Sequence, residues 1–189
     1  YDWLEFRDNF GRDTNDCLSD QEVALQYQLK KDKHILAIQE LVKFPAYSKR
    51  GEPNLGNQQV DLETRLLYGR SFQIGENWAY MNLEAGFRVR TEEPADEVSY
   101  QILFGYKPTE QSELILAVDG IEGLRNGRTI QTSNNVTVDP DLSLVKLRTE
   151  MILPLYRENV FLQTGFFWHA LGRNTGNGWG FQSGVRIVL

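Results

Sequence analysis

The chain has 189 residues, of which 41% are hydrophobic and 24% charged, with a formal net charge of −6 and a single cysteine. Those values fit one folded domain over 1–189 and exclude an internal disulfide. No run approaches the roughly 18 apolar residues that a membrane-spanning helix needs, and the acidic balance without a basic run gives no reason to expect a nucleic-acid partner.

A chain that opens on Tyr1, without an initiator Met or a signal peptide, is expected of a processed or trimmed product. Along it, helical periodicity is scarce and period-two alternation is frequent. A first, irregular strand is predicted over Tyr1–Phe10. Val23 to Lys30 sets Val23, Leu25, Tyr27 and Leu29 against Ala24, Gln26, Gln28 and Lys30. An untidy strand follows over His34–Phe44, where Glu40 falls on the apolar face and suggests a bulge. From Val60, one face is Val60, Leu62, Thr64, Leu66 and Tyr68, and the other is Asp61, Glu63, Arg65, Leu67 and Gly69. Ala79–Arg90, Val98–Tyr106, Glu113–Ile121, Val145–Leu153, Val160–His169 and Phe181–Leu189 complete about ten strands.

The connections alternate in length. Short ones are predicted at 31–33, 74–77, 108–112 and 155–159, and long ones at 11–20, 45–57, 91–96, 120–141 and 172–178. Short turns on one side and long loops on the other are the pattern of an up-and-down antiparallel transmembrane β-barrel. If the short turns are periplasmic, an even strand count brings both termini to that side. A soluble up-and-down barrel also alternates, with its apolar face inward. Three features favour the membrane form. Strand lengths sit near the roughly 9–11 residues of a tilted span. The polar face is rich in glycine (Gly69, Gly86, Gly105, Gly165, Gly180, Gly184), which a crowded lumen can use to make room for larger neighbours. Aromatics gather at strand ends: Tyr68, Phe72, Trp78, Tyr106 and Tyr156 near the turns, and Tyr100, Phe166, Trp168, Trp179 and Phe181 near the loops.

The last strand, Trp179 to Leu189, resembles the C-terminal signal of bacterial outer-membrane barrels, although such signals usually end in an aromatic and this one ends in Leu189. The stretches WLEFRDNFG (Trp3–Gly11), DLETRLLYGRSF (Asp61–Phe72) and GFRVRTEEPADE (Gly86–Glu97) resemble a group of Gram-negative barrels labelled as transporters of a phenol meta-cleavage pathway. The resemblance implies a β-barrel in the bacterial outer membrane and contact with membrane lipid.

Pairing the strands about Gly75 is expected to set Arg65 near Glu84, Glu63 near Arg88 and Asp61 near Arg90, a ladder of opposite charges. Lys146, Arg148 and Glu150 extend it, with Gln163 opposite Glu150, and Arg186 adds a further cation. Such a lumen network acts either as a charged constriction that selects solutes or as ion pairs that fill a narrow interior. Tyr80, Phe161 and Phe167 point inward as bulky plugs. No Ser-His or paired-aspartate motif supports catalysis, though His169 lies at the outer end of its strand. Metal-ligand spacing is absent, although Asp119, Glu122, Asp139 and Asp141 flank the longest loop. Cys17, in the first long loop, is a candidate attachment point for a protein partner. The leading expectation is a channel or transporter for small solutes, with no enzyme activity and no cofactor. A basic bias of Arg65, Arg88, Arg90, Lys146, Arg148 and Arg186 would favour anions. The alternative is a structural or docking barrel that anchors a partner through its long loops or Cys17.

Overall fold

The computed structural model describes residues 2–7, 12–17, 20–46, 59–91, 95–127, 130–131, 137–138, 141–156 and 159–187, and the side chains of 20–46, 59–91, 95–127, 141–155 and 159–187. Among the described residues there is strand and turn but no helix. Two short strands come first, β1 (Asp2–Arg7) and β2 (Arg12–Cys17), paired antiparallel with each other. Six longer strands follow: β3 (Asp20–Lys31), β4 (His34–Pro45), β5 (Asp61–Ile74), β6 (Asn77–Arg90), β7 (Glu97–Lys107) and β8 (Glu113–Gly123). β9 (Ile130–Gln131) and β10 (Thr137–Val138) pair within a long connection, ahead of β11 (Ser143–Tyr156), β12 (Val160–Arg173) and β13 (Trp179–Ile187).

One antiparallel sheet of nine strands, in the order β13-β12-β11-β8-β7-β6-β5-β4-β3, carries the architecture. Each of its strands neighbours the previous and the next long strand in the chain, so the sheet is an up-and-down meander. It is not closed: β3 and β13 are its two edges. Three expectations are corrected here. The predicted strand over Tyr1–Phe10 contributes Asp2–Arg7, but this segment pairs with β2 rather than joining the large sheet, so the sheet has nine strands instead of about ten. The stretch 11–20, expected as a long connection, contains β2. The bulge expected at Glu40 is absent, since Leu25, Glu40 and Thr64 stay in unbroken register. The irregularity between β3 and β4 lies instead between Gln28 and Lys30.

The turns follow from local chemistry. Ile74 pairs with Asn77 across a two-residue hairpin, and Gly75 there takes φ 63°, a conformation that the hairpin requires and glycine adopts without a Cβ clash. Pro154, a poor central-strand residue, lies past the last pairing with β8 (Glu113 opposite Ile152) and next to a bulge, where a missing N–H costs least.

Burial across the sheet is inverted relative to a water-soluble fold. Asp61 (0% exposed), Glu63 (1%), Glu97 and Glu150 are buried, while Leu25 (76%), Trp179 (72%), Phe181, Val185 and Leu62 are exposed. Among the described residues, each element packs only against its hydrogen-bonded neighbours, so no second layer covers either face. The polar face is therefore covered by the curl of the sheet itself, with the apolar face on the convex side. Edge strands gain least from this: in β3 every residue after Asp20 is exposed, on both faces.

Candidate functional site: a charge network on the inner face

Register brings the charges together. Glu63 lies opposite Arg88, and Asp61 opposite Arg90, as the turn at Gly75 predicts. Arg65, by contrast, lies opposite Gly86, while Glu84 lies opposite Leu67. Its guanidinium turns along its own strand instead and donates two hydrogen bonds to Glu63, two residues away on the same face. Glu63 is the hub of this group. It accepts from Arg65, from Arg88 Nε at 2.8 Å and Nη2, and from the Ser99 hydroxyl at 3.1 Å. Gly86 lets these side chains meet: a Cβ placed there would lie 2.7 Å from Glu63 Oε1 and 3.1 Å from Arg65 Cγ.

Around this hub the pairing continues toward both neighbours. Lys43 of β4 bridges Asp20 and Asp61, each at 3.1 Å, and Gln59 donates to Asp61 at 2.9 Å. Glu97 at the start of β7 takes Arg90 at 2.7 Å and Arg88 at 3.5 Å. A second group joins β7, β8, β11 and β12. Asp119 accepts from Gln101 at 2.6 Å and faces Arg148 at 3.3 Å and Lys146 at 3.7 Å. Arg148 also donates to Glu150 at 2.7 Å. Gln163 reaches Glu150 at 3.3 Å diagonally, since Gly165 rather than Gln163 stands opposite it. Sequence spacing alone does not place Asp20, Lys43, Glu97 and Asp119 in this network. Their strands alternate irregularly or extend beyond the alternating stretch, which hides the inward phase of each residue.

Two features decide what this face can do. First, the ion pairs and side-chain hydrogen bonds between strands join neighbours or next neighbours in the sheet, so they run along the wall. Second, two of the expected plugs lie against the wall as well. A Cβ on Gly105 would fall 2.2 Å from the Tyr80 ring, and one on Gly180 2.4 Å from the Phe167 ring, so both rings lie over glycines of the next strand. Tyr80 is further held by its hydroxyl, which donates to Glu113. Gly120 plays the same part on the outer face, beneath Tyr100. The basic bias expected of the lumen is also offset: Arg65, Arg88, Arg90, Lys146 and Arg148 all have carboxylate partners, while Arg186 has none among the described residues.

The other candidates separate. His169 Nδ1 sits 3.1 Å from the carbonyl oxygen of Gly176, and His34 Nδ1 sits 2.6 Å from the Tyr68 hydroxyl. Of the acidic residues flanking the long loop, Asp141 and Glu122 share Arg173, at 3.0 and 3.3 Å, while Asp119 faces Arg148. Asp139 lies outside the described residues. Among those described, no group of three or more His, Cys, Asp or Glu is arranged to hold a metal ion. Cys17 ends β2, and its side chain lies outside those described. No protein-family model, no curated protein and no solved structure matches this chain.

Proposed function

We propose that the sheet is the wall of a β-barrel in the outer membrane of a Gram-negative bacterium, and that the barrel conducts small polar solutes. The inversion of the two faces carries this reading. Each large apolar side chain left in water forgoes about 1.5–3 kcal/mol. Ten such residues, each about half exposed, would forgo roughly 8–15 kcal/mol, as much as the roughly 5–15 kcal/mol by which a domain is stable. The convex face exposes more than ten, among them Val23, Leu25, Leu62, Leu66, Phe87, Ile102, Leu116, Leu153, Phe166, Trp168, Phe181 and Val185. Lipid removes that cost. Strands of 11 to 14 residues in β5–β8, β11 and β12 are long enough to span a bilayer at a tilt. Exposed Trp168, Trp179 and Phe181 at the loop side suit a membrane–water interface. Phe166 stacks on Trp179 there, with ring centroids 6.1 Å apart.

A conducting role is supported by the wall-hugging course of the charge network, which leaves the axis of a closed barrel to water. Two measurements test the reading in turn. A folded barrel migrates differently from its boiled form on a detergent gel; a protein that stays soluble and monomeric without detergent sinks the membrane assignment. In planar bilayers, discrete conductance steps are expected, and a barrel that inserts but stays silent removes the channel while leaving the wall.

A further inference from the structure

The inward cations from β4 to β13 fall into two groups. Lys43, Arg65, Arg88, Arg90, Lys146 and Arg148 each have a carboxylate within ion-pair distance. Lys107 and Arg186 have none among the described residues, and both line one cavity of about 360 Å³ at the turn-side end of the sheet. Lys107 is the last residue of β7, and Arg186 lies one residue before the end of β13, four strands away in the sheet order. The curl that buries the polar face brings them to the same space. Along the wall between them lie Glu113 on β8, then the apolar Ile152 on β11 and Phe161 on β12, the register partner of Arg186.

We propose that this cavity binds an organic monoanion, its carboxylate between Lys107 and Arg186 and its apolar body against Ile152 and Phe161. The volume falls within the roughly 300–1,000 Å³ of small-molecule sites. An arginine fork matches a carboxylate bidentately, and lysine adds a point charge from the opposite side. Glu110 and Glu113 line the same cavity. Glu113 already accepts the Tyr80 hydroxyl, and the two carboxylates together offset the two cations. Neither carboxylate lies within ion-pair distance of Lys107 or Arg186, so the donors of both cations stay open to an added carboxylate. The site rests on the reading of the polar face as a water-accessible lumen, and would act as a loading point for solute at the turn-side mouth.

Titration calorimetry on the detergent-refolded full chain tests this with cyclohexanecarboxylate and hexanoate as probes. Both are expected to bind saturably at one site. Cyclohexylmethanol, with the same body and no charge, is expected to bind at least about tenfold more weakly, as is the Lys107→Gln/Arg186→Gln double variant toward the acids. Each single variant should lie between, and Lys33→Gln should bind like the wild type. The heat-modifiability gel identifies variants that fold. The proposal is overturned if the folded double variant or the folded single variants keep wild-type affinity, if inorganic phosphate binds more tightly than the monoanions, or if the folded wild type shows no saturable binding. Conductance is scored separately. A silent barrel that binds the acids removes the channel alone; a conducting barrel that does not bind them removes this site alone.

Discussion

Glu63→Ala is the most informative perturbation of the inner face. The wild-type carboxylate is buried and accepts hydrogen bonds from Arg65, Arg88 and Ser99. Removing it leaves two guanidiniums without their principal counter-ion, and breaking a buried pair in this way typically costs about 3–5 kcal/mol. Two local facts point to the lower end. Arg88 retains Glu97 at 3.5 Å, and the Arg65 side chain is 30% exposed, so water can take up part of its charge. The expected loss is therefore about 3 kcal/mol, with Glu63→Gln losing about half of that because one acceptor oxygen remains. Urea titration of the protein in lipid vesicles, followed by tryptophan emission, reads the change as a shifted midpoint at constant slope. Glu76→Ala is the control: Glu76 is exposed in the turn between β5 and β6 and is expected to change stability by less than about 0.5 kcal/mol. A Glu63→Ala loss below about 1 kcal/mol would refute the view of Glu63 as a desolvated hub and make the inner face a solvated surface instead.

Further outcomes follow from neighbouring contacts. Gly105→Ala places a methyl 2.2 Å from the Tyr80 ring and is expected to cost about 1–3 kcal/mol in the same titration. Gly184→Ala meets nothing within 4 Å and should be neutral or stabilising by up to about 1 kcal/mol; equal effects at the two glycines would discredit the packing assigned to Tyr80. Glu40 stands on the convex face with the Thr64 hydroxyl donating to it at 2.7 Å, so Glu40→Leu should stabilise the lipid-embedded form by roughly 1 kcal/mol, and a destabilised variant would argue against lipid at that position. In a bilayer under a salt gradient, Arg148→Gln should shift the reversal potential toward cations, because Asp119 and Glu150 lose their shared partner. Adding Glu150→Gln should move it back, and an unchanged potential in the single variant would place Arg148 off the conducting path.

What could be read from sequence depended on how far each residue lies from a tight turn. The Glu63–Arg88 and Asp61–Arg90 pairs were legible because a two-residue hairpin at Gly75 sets the register between β5 and β6, and one slip would reverse both faces. Cross-strand pairing alone points Arg65 at Glu84; its flexible stem reaches along the strand to Glu63 instead. By spacing, Asp119 is a loop-flanking acid. Its partners Lys146 and Arg148 lie on β11, beyond the connection from 124 to 142, and no tight turn transmits register across it. Glu97 and Asp20 each open a strand one or more residues before the predicted start, so their inward phase was missed. Glycine on the polar face was legible as a type of residue. Its pairing with one particular ring was not, because that depends on which strand lies alongside.

The two open edges constrain how the proposed barrel can close. Nine strands alternate in direction, so β3 and β13 run the same way, each from the long-loop side to the short-turn side. Joining them directly would make a parallel pair in an otherwise antiparallel wall. Antiparallel closure takes an odd number of further strands between them, the simplest being one that rises from the turn side to the loop side. That strand must alternate, apolar outward beside Val23, Leu25 and Tyr27 and beside Phe181 and Val185, and polar inward beside Gln26 and Gln182. β2, with the sequence RDTNDC, has no apolar face and does not meet the requirement. The full exposure of β3 is what an edge of this kind predicts: its outer face would meet lipid and its inner face the lumen only once a neighbour is in place. Closure and membrane insertion are on this reasoning one event, since the strand that completes the wall also completes the apolar belt.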